Sequence, residues 1–552
     1  MGARSHIRDR VIRWRPAWIL PSVVIVGPFV AYLVVDHTYP LASPESLMAL
    51  GMVGVIAGVV TLLAMLPARL PYALAVAALL TVFIDRELAW MESTGKMVLV
   101  SLFLLLAVIA HKGGQRFDLV VITFFAVFLG TTLVQALWSR PISVEMARPS
   151  LSAEGRSALR LIHLVLDEHV GYEAIPVDTH AGLALKQTMK RFYERYGLML
   201  YGRVHSHYYE TYDSIPNMLN FSYEALPRAL VEGEKPPHVL TRNAYFSWLQ
   251  DNGLSVEVIS AGYLGLCRHA SISAERCKSY EFGSLQSLHA LNVPATSKVP
   301  VLLGSYVTRY HRYHRALEAY DSLLQPALER YGLPAPRVPQ DSLWTWNHLI
   351  PLSISAMAVL DQIWADIVSL PRGHALYVHL VLPHSPFVYR EDCTPRLIQH
   401  AKGLSLDRVD QFWSAGKRLG LYENYLTQAG CLYRKLDELF ERLRSADVLD
   451  DAVIILHGDH GSRLGLVTPF EWNAVRMTER DYRDGYETLF AIRIPGEAGG
   501  YRSQLYSLHR LFSDNLGRSF KKDPPYLPPD GDSFVYLFAG PDKPMVRTPY
   551  PQ

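Results

Sequence analysis

Apolar runs in the first quarter of the chain constrain its fold more than any other feature. Five such runs carry few charges: Trp18–Val35, Leu47–Leu66, Leu70–Ile84, Met97–Ala110 and Leu119–Leu137. A bilayer of about 30 Å is crossed by roughly 20 apolar residues in a helix, and none of the five runs has the polar face of a soluble helix. We therefore expect residues 1–138 to form a transmembrane domain of five helices.

Basic residues in the short loops orient this bundle. The arginine-rich N-terminus, Arg69 and the loop Lys112–Arg116 are expected in the cytoplasm, whereas Asp36–Glu45 and Asp85–Lys96 are expected outside. No small-residue cleavage site follows the first run, which favours an uncleaved anchor over a signal peptide. An odd number of spans puts everything after them outside. The protein is thus expected to be a multi-pass protein of the plasma or inner membrane, with a periplasmic or extracellular soluble part.

The charge balance, a polar linker and the cysteines of the chain agree with that location. The chain has 54 Lys+Arg and 52 Asp+Glu among 552 residues, so its charge gives no reason to expect nucleic acid as a partner. Residues 139–157 are polar and form a juxtamembrane linker, which leaves 158–552 as the soluble domain. All four cysteines follow the last run, as expected for disulfides in an oxidising compartment. Proximity favours the pairs Cys267–Cys277 and Cys393–Cys431, although four cysteines allow three connectivities.

Strand-like and helix-like stretches alternate in the soluble part. The expected strands are Leu159–Leu166, Val256–Ile259, Ala375–Leu382, Val453–Leu456 and Leu489–Ile494. The expected helices are Leu183–Tyr196, Ala244–Asp251, Tyr306–Tyr331 and Leu421–Arg444. This alternation is typical of an α/β domain with a largely parallel sheet.

Two of these strands end in acidic residues. The run Val453–Leu456 is followed by Asp459 and His460 between two glycines, and Leu159–Leu166 is followed by Asp167 and Glu168. Ligands and catalytic groups gather at the carboxyl ends of strands in open α/β sheets, so we expect the two acidic ends to meet. Oxygen and nitrogen ligands together favour Zn²⁺ or Mn²⁺ over Ca²⁺.

A hydroxyl nucleophile is expected at Thr211. Pro216 is best tolerated in the first turn of a helix, which would place Thr211 just ahead of a helix N-terminus that favours an anion. A hydroxyl there is suited to ionise beside a metal and attack a phosphoryl centre. The alternative is that Thr211 or Ser214 only caps the helix.

One histidine, His384, stands on a turn stiffened by Pro383 and Pro386. A histidine held this way can bind a phosphoryl oxygen or protonate a leaving group. The chain has 21 histidines, so many have no role in a site, and His205, His207 and His457 rank below His384.

Together these stretches resemble the alkaline phosphatase/sulfatase superfamily, and most closely its membrane-anchored phosphoethanolamine and phosphoglycerol transferases. The resemblance is carried by Leu166-Asp-Glu-His169, Thr211-Tyr-Asp-Ser-Ile-Pro216, Leu382-Pro-His-Ser-Pro386 and Gly458-Asp-His-Gly461. It implies an α-helical transmembrane bundle of five spans, followed by an α/β alkaline-phosphatase-like domain with a largely parallel central sheet.

The resemblance also implies roles. A divalent metal, Zn²⁺ first and Mn²⁺ as the alternative, would be held by Asp167, Thr211, Asp459 and His460. Thr211 would be the nucleophile, His384 would be catalytic, and His384, Arg463 and Glu168 would bind substrate. A phospholipid donor would pass its phospho-headgroup through Thr211 to an envelope glycan or lipid.

Departures from the family pattern bear on the substrate. The transferases usually carry further histidines after Asp-His-Gly, and none lies between Gly461 and Tyr501, so Arg463 is expected to take over part of that charge role. Sulfatases oxidise a Cys or Ser to formylglycine, which Thr211 cannot supply, and this argues against sulfate esters. A phosphodiester or sulfate ester hydrolase and a non-catalytic membrane scaffold stay open as alternatives.

Overall fold

The computed structural model of the protein describes residues 18–36, 39–66, 69–88, 95–138, 159–226, 230–232, 238–262, 264–267, 269, 274–280, 288–289, 294–308, 330, 350–385, 387–394, 415–525, 533–540 and 543–551. Within these residues the chain divides into two compact units. The first comprises Met1–Ile142 with His289–His348, and the second comprises Ser143–Leu288 with Leu349–Gln552.

The α-helices, in chain order, are α1 Gly27–Ala31, α2 Pro44–Met65, α3 Arg69–Leu88, α4 Gly95–Trp138, α5 His180–Tyr196, α6 Thr211–Leu219, α7 Ala244–Asp251, α8 Ala295–Thr308, α9 Ile350–Val368, α10 Ala415–Ser445, α11 Glu479–Tyr486 and α12 Leu508–Phe520. Two π-helical turns, Ser22–Val26 and Tyr32–Asp36, flank α1.

The strands are β1 Arg160–Leu166, β2 Met199–His205, β3 Val231–Glu232, β4 His238–Leu240, β5 Ser255–Ala261, β6 Leu264–Gly265, β7 Arg276–Tyr280, β8 His374–Leu380, β9 Ala452–His457, β10 Phe490–Arg493, β11 Gly500–Ser507, β12 Phe534–Leu537 and β13 Val546–Pro549.

The first unit is built from α1–α4 and α8. Two of its helical stretches, Pro44–Met65 and Ser101–Thr131, are long and apolar enough to cross a membrane, and two shorter apolar helices cover Ser22–Val35 and Arg69–Thr81. The expectation of five spans is thus met for two of them within the described residues. The predicted fourth and fifth spans both fall in α4, whose backbone leaves helical geometry at Gly114 (φ 57°).

A buried carboxylate joins α2 and α8 in this unit. Glu45, in the first turn of α2, accepts hydrogen bonds from the Tyr39 hydroxyl (2.9 Å) and from His289 Nδ1 (3.0 Å). Lys298 of α8 lies 3.8 Å from the same carboxylate and donates to the His289 carbonyl. Glu45 and Lys298 are both buried, so the ion pair compensates charges that would otherwise be costly away from water.

The second unit is organised around an eight-stranded sheet of order β11-β2-β10-β9-β1-β8-β5-β7. Every neighbouring pair is parallel except those that involve β10, which runs antiparallel to β2 and β9. The largely parallel sheet expected from the sequence is confirmed. Its central strands β1, β8 and β9 are buried along almost their whole length, as strands covered on both faces are.

Helices cover the sheet and are linked to one another and to its loops. Residues of α6, α7 and α12 pack in one apolar cluster with alternate residues of β1, such as Leu161 and Val165. The helix α10 packs against α5 and α9, and the buried hydroxyls of Tyr193 and Tyr433 hydrogen bond between α5 and α10 at 2.5 Å. The disulfides Cys267–Cys277 and Cys393–Cys431 are both formed, which confirms the favoured pairing.

Most predicted elements of the soluble part are present with shifted ends. All five predicted strands are confirmed, and the predicted helices correspond to α5, α7 and α10, whereas Tyr306–Tyr331 lies largely outside the described residues. The sequence analysis missed β2, β7 and β11. The exposed β11 and the half-buried β7 lack the apolar runs by which the central strands are recognised.

A group of buried histidines lies between β2 and α12. His207 packs 5.2 Å (ring centroids) from both His205 and His509. Burial, followed by the nearby His205 and His457, lowers the pKa of His509 to about 3. Burial, together with His205, His509 and Arg547, also lowers the pKa of His207 well below its usual value. Both rings are therefore neutral in the folded protein.

We expect these histidines to make folding sensitive to mild acid. The unfolded chain binds their protons below a pH of about 6.5 while the folded chain does not, so stability is complete above that pH and falls as pH decreases, by up to about 1.4 kcal/mol per pH unit per histidine. His509→Phe should flatten the fall in unfolding midpoint between pH 7 and 5, because neither ring nitrogen of His509 has a hydrogen-bond partner among the described residues.

The matched control is His180→Phe, since His180 is exposed. Denaturant titrations of the full chain in detergent at several pH values measure the effect. An unchanged slope in His509→Phe would contradict the assignment of a buried neutral ring.

Candidate active site

The carboxyl ends of three neighbouring strands form the centre of the candidate site. Val165 of β1 is in register with His379 of β8 on one side and with His457 of β9 on the other. Because the three strands are parallel, the residues that follow them leave the sheet at one edge. The two acidic strand ends predicted to meet, at Asp167 and Asp459, do so here.

Asp167, Asp459 and His460 form a group that can hold a metal ion. All three are fully buried, and one ligand atom from each lies within 4.8 Å of the others. The backbone N–H groups of Glu168 and His460 donate to Asp459 Oδ1 (3.1 and 3.0 Å). Asp459 Oδ2 makes no hydrogen bond to the described residues. A buried carboxylate oxygen left in this way fits a cation as its partner.

The imidazole of His460 is oriented so that it can bind the same cation. Its Nδ1 lies 2.9 Å from the Gly461 carbonyl and must donate to it. In the neutral ring Nε2 would carry the lone pair, and this atom faces Asp459 Oδ2 at 3.3 Å and Asp167 Oδ1 at 4.0 Å. This arrangement of a ligating histidine, with its other nitrogen bonded to a carbonyl, is common in metal sites.

Electrostatics in the group also favour a cation. Burial, and then the negative charge of Asp167, raise the pKa of Asp459. Burial would raise that of Asp167 as well, but His384, His379 and His460 outweigh it and hold the Asp167 pKa below its ordinary range. Two buried carboxylates this close repel each other, and a divalent ion between them would remove the repulsion.

Thr211 is the first residue of α6 and points at this group. Its Oγ1 lies 3.3 Å from Asp167 Oδ1 and 3.2 Å from His460 Nε2. The residue that precedes the helix is Glu210, and the helix end has no side-chain cap. The Ser214 hydroxyl donates to the Asp459 carbonyl at 2.6 Å. Neither the Thr211 hydroxyl nor the Ser214 hydroxyl therefore serves as a cap of this helix.

The expected position of Pro216 is wrong. It lies inside α6, as the sixth residue of the helix, and not in the first turn. An internal proline costs a helix one backbone hydrogen bond. The short helix is held instead by its burial, since Ile215, Pro216, Met218 and Leu219 are all buried, and by the bond from Ser214.

Glu168, Arg463 and His384 form a second cluster beside the metal ligands. Arg463 Nε donates to Glu168 Oε1 at 2.7 Å, and His384 Nε2 lies 3.2 Å from Arg463 Nη2 and 3.5 Å from Glu168 Oε1. Burial would lower the pKa of Arg463, but the carboxylates of Glu168 and Glu210 raise it further. The guanidinium therefore keeps its charge at every relevant pH.

The sequence analysis missed His379 of β8. It is fully buried, and its Nε2 lies 3.3 Å from Asp167 Oδ2. Nothing in the local pattern distinguishes it from other histidines, and only the register of β8 beside β1 places it against Asp167. Of the histidines ranked low, His205 and His207 belong to the cluster beside α12.

The third of those histidines, His457, is the last residue of β9 and hydrogen bonds to the turn that carries Asp459. Its Nδ1 donates to the Gly458 carbonyl (2.8 Å), so its Nε2 must accept from His163 Nε2 at 2.7 Å. His163 Nδ1 then accepts from the Tyr245 hydroxyl at 3.1 Å. This chain of hydrogen bonds fixes the tautomers of both rings in the core.

Another carboxyl near Thr211 is not part of the candidate metal group. Asp213 of α6 is buried, and burial, followed by the charge of Glu210, raises its pKa to about 8. It is therefore protonated at neutral pH and unsuited to bind a cation, although it lies only two residues from Thr211.

We expect Asp459→Asn to reduce zinc affinity by roughly a hundredfold or more. In metal sites, replacing a residue that only hydrogen bonds to a ligand already lowers metal affinity by about 10–100-fold. Asp213→Asn is the matched control, since an amide resembles the protonated carboxyl in shape, and it should bind zinc like the wild type. Calorimetric titration of the full chain with Zn²⁺, after chelator treatment, measures both. Equal affinities in the two variants would show that the metal does not bind at Asp459.

No family model and no curated protein matches the chain. Solved structures do. The C-terminal periplasmic domain of EptC from Escherichia coli, in complex with Zn, is 13% identical with a TM-score of 0.39 over 72% of this chain and 94% of that one. The lipoteichoic acid synthase LtaP from Listeria monocytogenes is 10% identical with a TM-score of 0.34 over 73% of this chain and 88% of that one.

A phosphonate monoester hydrolase from Silicibacter pomeroyi is 13% identical with a TM-score of 0.39 over 70% of this chain and 81% of that one. These proteins are members of the alkaline phosphatase/sulfatase superfamily, the one that the sequence motifs resemble. At such low similarity the likeness carries no inference about activity, and the reaction of this chain has to follow from its own residues.

Proposed function

We propose that the protein is a membrane-bound, metal-dependent transferase. It would move a phospho-headgroup of the phosphoethanolamine or phosphoglycerol type from a phospholipid, through a phosphothreonine at Thr211, to a hydroxyl of an envelope glycan or lipid. The observation that carries the proposal is the Thr211 hydroxyl, which caps no helix and lies within 3.3 Å of two members of the candidate metal group.

The donor set fits a borderline divalent ion. Asp167, Asp459, His460 and Thr211 offer three oxygens and one nitrogen in a buried site, which suits Zn²⁺ and, as the alternative, Mn²⁺. When bound, such an ion would lower the pKa of the Thr211 hydroxyl and neutralise charge on the phosphoryl oxygens. The chain's own residues supply the rest of the chemistry.

The first transfer begins after the Thr211 hydroxyl has released its proton to water. The Thr211 oxygen attacks the phosphorus of the donor, an O–P bond forms, and the bond from phosphorus to the diacylglycerol oxygen breaks. The leaving oxygen takes a proton from His384, whose Nε2 lies 3.5 Å from Glu168 Oε1 and 3.2 Å from Arg463 Nη2. Arg463 holds the non-bridging oxygens through a charge that does not titrate.

The second transfer reverses these roles. An acceptor hydroxyl gives its proton to His384, its oxygen bonds to phosphorus, and the bond to Thr211 breaks. The Thr211 oxygen is thereby restored, and His384 is again protonated. Donor and acceptor would both be confined to the membrane surface, which gives a reason for the apolar helices of the first unit and for an outward-facing catalytic domain.

We expect Thr211→Ala to abolish the covalent intermediate. The full chain in detergent would be mixed with Zn²⁺ and phosphatidylethanolamine or phosphatidylglycerol, and its intact mass recorded. The wild type should gain the mass of one phospho-headgroup, and turnover in the alanine variant should fall by about a thousandfold or more, as when other enzymes lose their nucleophile. Thr211→Ser keeps a hydroxyl and should form the adduct more slowly.

The other outcomes separate the alternatives. An adduct that persists in Thr211→Ala would refute the nucleophile assignment. Steady release of the headgroup to water, unaffected by an acceptor glycan, would identify a phosphodiester hydrolase. Neither adduct nor turnover, with cellular function intact in Asp459→Asn, His460→Ala and Thr211→Ala, would favour a non-catalytic scaffold.

The role of Arg463 can be tested separately. Lysine keeps the charge but cannot bond Glu168 and a phosphoryl oxygen with a planar fork, so Arg463→Lys should lower kcat/KM for the phospholipid by about 10–100-fold. The control is Arg480→Lys, because Arg480 pairs with Asp484 outside the metal group. Steady-state kinetics of headgroup release measures both, and equal effects would refute a substrate role for Arg463.

A further inference from the structure

Three buried polar side chains lie at intervals of three residues on one face of α10. The Tyr422 hydroxyl donates to Asp484 Oδ1 (2.5 Å). The Tyr425 hydroxyl accepts from Val170 N–H and donates to the Glu168 carbonyl, both at 2.8 Å. Gln428 follows one turn later and is completely buried. This spacing aims all three side chains at the loops that carry the site.

Gln428 makes three hydrogen bonds to the loop that carries His384. Its Nε2 donates to the carbonyls of Pro383 (3.1 Å) and His384 (2.9 Å), and its Oε1 accepts from Tyr389 N–H (3.1 Å). The orientation of the amide is fixed, because the reverse placement would set the amide donors against a backbone donor. One side chain thus bonds both ends of the segment from 383 to 389.

Other contacts hold this segment at single points. Ser353 of α9 donates to the His384 carbonyl at 3.1 Å, and the Ser385 N–H donates to Glu168 Oε2 at 3.1 Å. His384 Nδ1 lies 2.5 Å from the Ser385 carbonyl, and the disulfide Cys393–Cys431 joins α10 to the chain beyond Tyr389. Among the contacts that the structure describes, only Gln428 bonds the segment both at Pro383 and His384 and at Tyr389.

We propose that Gln428 is a positioning residue for the reaction, and that it sets the imidazole of His384 against Arg463 and Glu168. The inference rests on the proposed function insofar as His384 handles a proton there. The carbonyls of Pro383 and His384 cannot leave their places without losing a buried partner, so the backbone from which the imidazole projects is held to the helix. A displacement of about 1 Å at a reacting group can cost roughly a hundredfold in rate.

The variant Gln428→Met tests the proposal. Methionine matches the length of glutamine and fills its volume but makes none of the three bonds. We expect kcat for headgroup transfer to fall by roughly 10–100-fold with little change in KM for the donor. In a double-mutant cycle, the same substitution in a His384→Ala background should cause no further loss, because the group that it misplaces is already gone.

The control is Leu432→Ala, also in α10 and buried. It should lower stability and leave kcat unchanged while the protein is folded. A loss from Gln428→Met that is equally large with and without His384 would identify Gln428 as merely structural and overturn the proposal. Should the methionine variant not fold, Gln428→Asn, whose amide is one methylene too short to reach the loop, takes its place in the cycle.

A structure of the Gln428 variant separates this proposal from the proposed function. If wild-type protein transfers no headgroup, the function fails, but the position of His384 can still be compared. We expect the imidazole to move out of hydrogen-bond distance of Arg463. An imidazole that stays within 3.2 Å of Arg463 Nη2, as in the wild type, would refute the positioning role whatever the enzyme's reaction.

Discussion

The repulsion between two buried carboxylates governs the arrangement of the candidate site. Asp167 and Asp459 follow adjacent parallel strands, and both of their side chains are fully buried where they come together. Asp459 Oδ1 accepts from two backbone N–H groups, whereas Asp167 has His379 beside Oδ2 and the Thr211 hydroxyl beside Oδ1. Asp459 Oδ2 and Asp167 Oδ1 lie 3.3 and 4.0 Å from His460 Nε2. The sheet therefore builds an unfavourable charge distribution that a cation corrects.

Backbone strain accompanies this charge distribution. Glu168 and Arg463 both have φ in the left-handed region, at 62° and 56°, where a non-glycine residue typically costs about 1–3 kcal/mol. The two strained residues are the ones that form the ion pair beside the metal ligands. At Glu168 the turn lets consecutive carboxylates serve different purposes, since Asp167 joins the metal group while Glu168 binds Arg463. The backbone strain at Glu168 and Arg463 is therefore better explained by their place in the site than by a requirement of folding.

The sequence predicted those parts of the site that have local signals. Asp167, Thr211, His384 and Asp459 each stand in a short motif next to a strand or a helix end, and the order of the motifs resembles that of the superfamily. His379 and Gln428 have no such motif. Their contacts depend on strand register and on the packing of α10, which are set by residues far away in the chain. The sequence does show Gln428 as a polar residue within the apolar face of a long amphipathic helix, but this pattern does not reveal its hydrogen-bond partners.

The same distinction explains the error at Pro216. Proline prefers the first turn of a helix because its missing N–H costs no helical hydrogen bond there. In α6 the helix is short, and its fifth to ninth residues are buried against the core, so packing compensates for the lost bond. The consequence is that Thr211 starts the helix and does not precede it. Its Oγ1 lies 3.3 Å from Asp167 Oδ1 and 3.2 Å from His460 Nε2.

Arg463 has a consequence for how the site would hold an anion. In the transferases that the motifs resemble, further histidines usually follow the Asp-His-Gly motif, and a histidine loses its charge as pH rises through about 6.5. Here the positive charge comes from a guanidinium whose pKa is raised further by Glu168 and Glu210. The charge that Arg463 offers to a phosphoryl group would then not change with pH near neutrality. The same guanidinium compensates the buried Glu168 carboxylate, to which its Nε donates at 2.7 Å, so one residue serves both the substrate and the core.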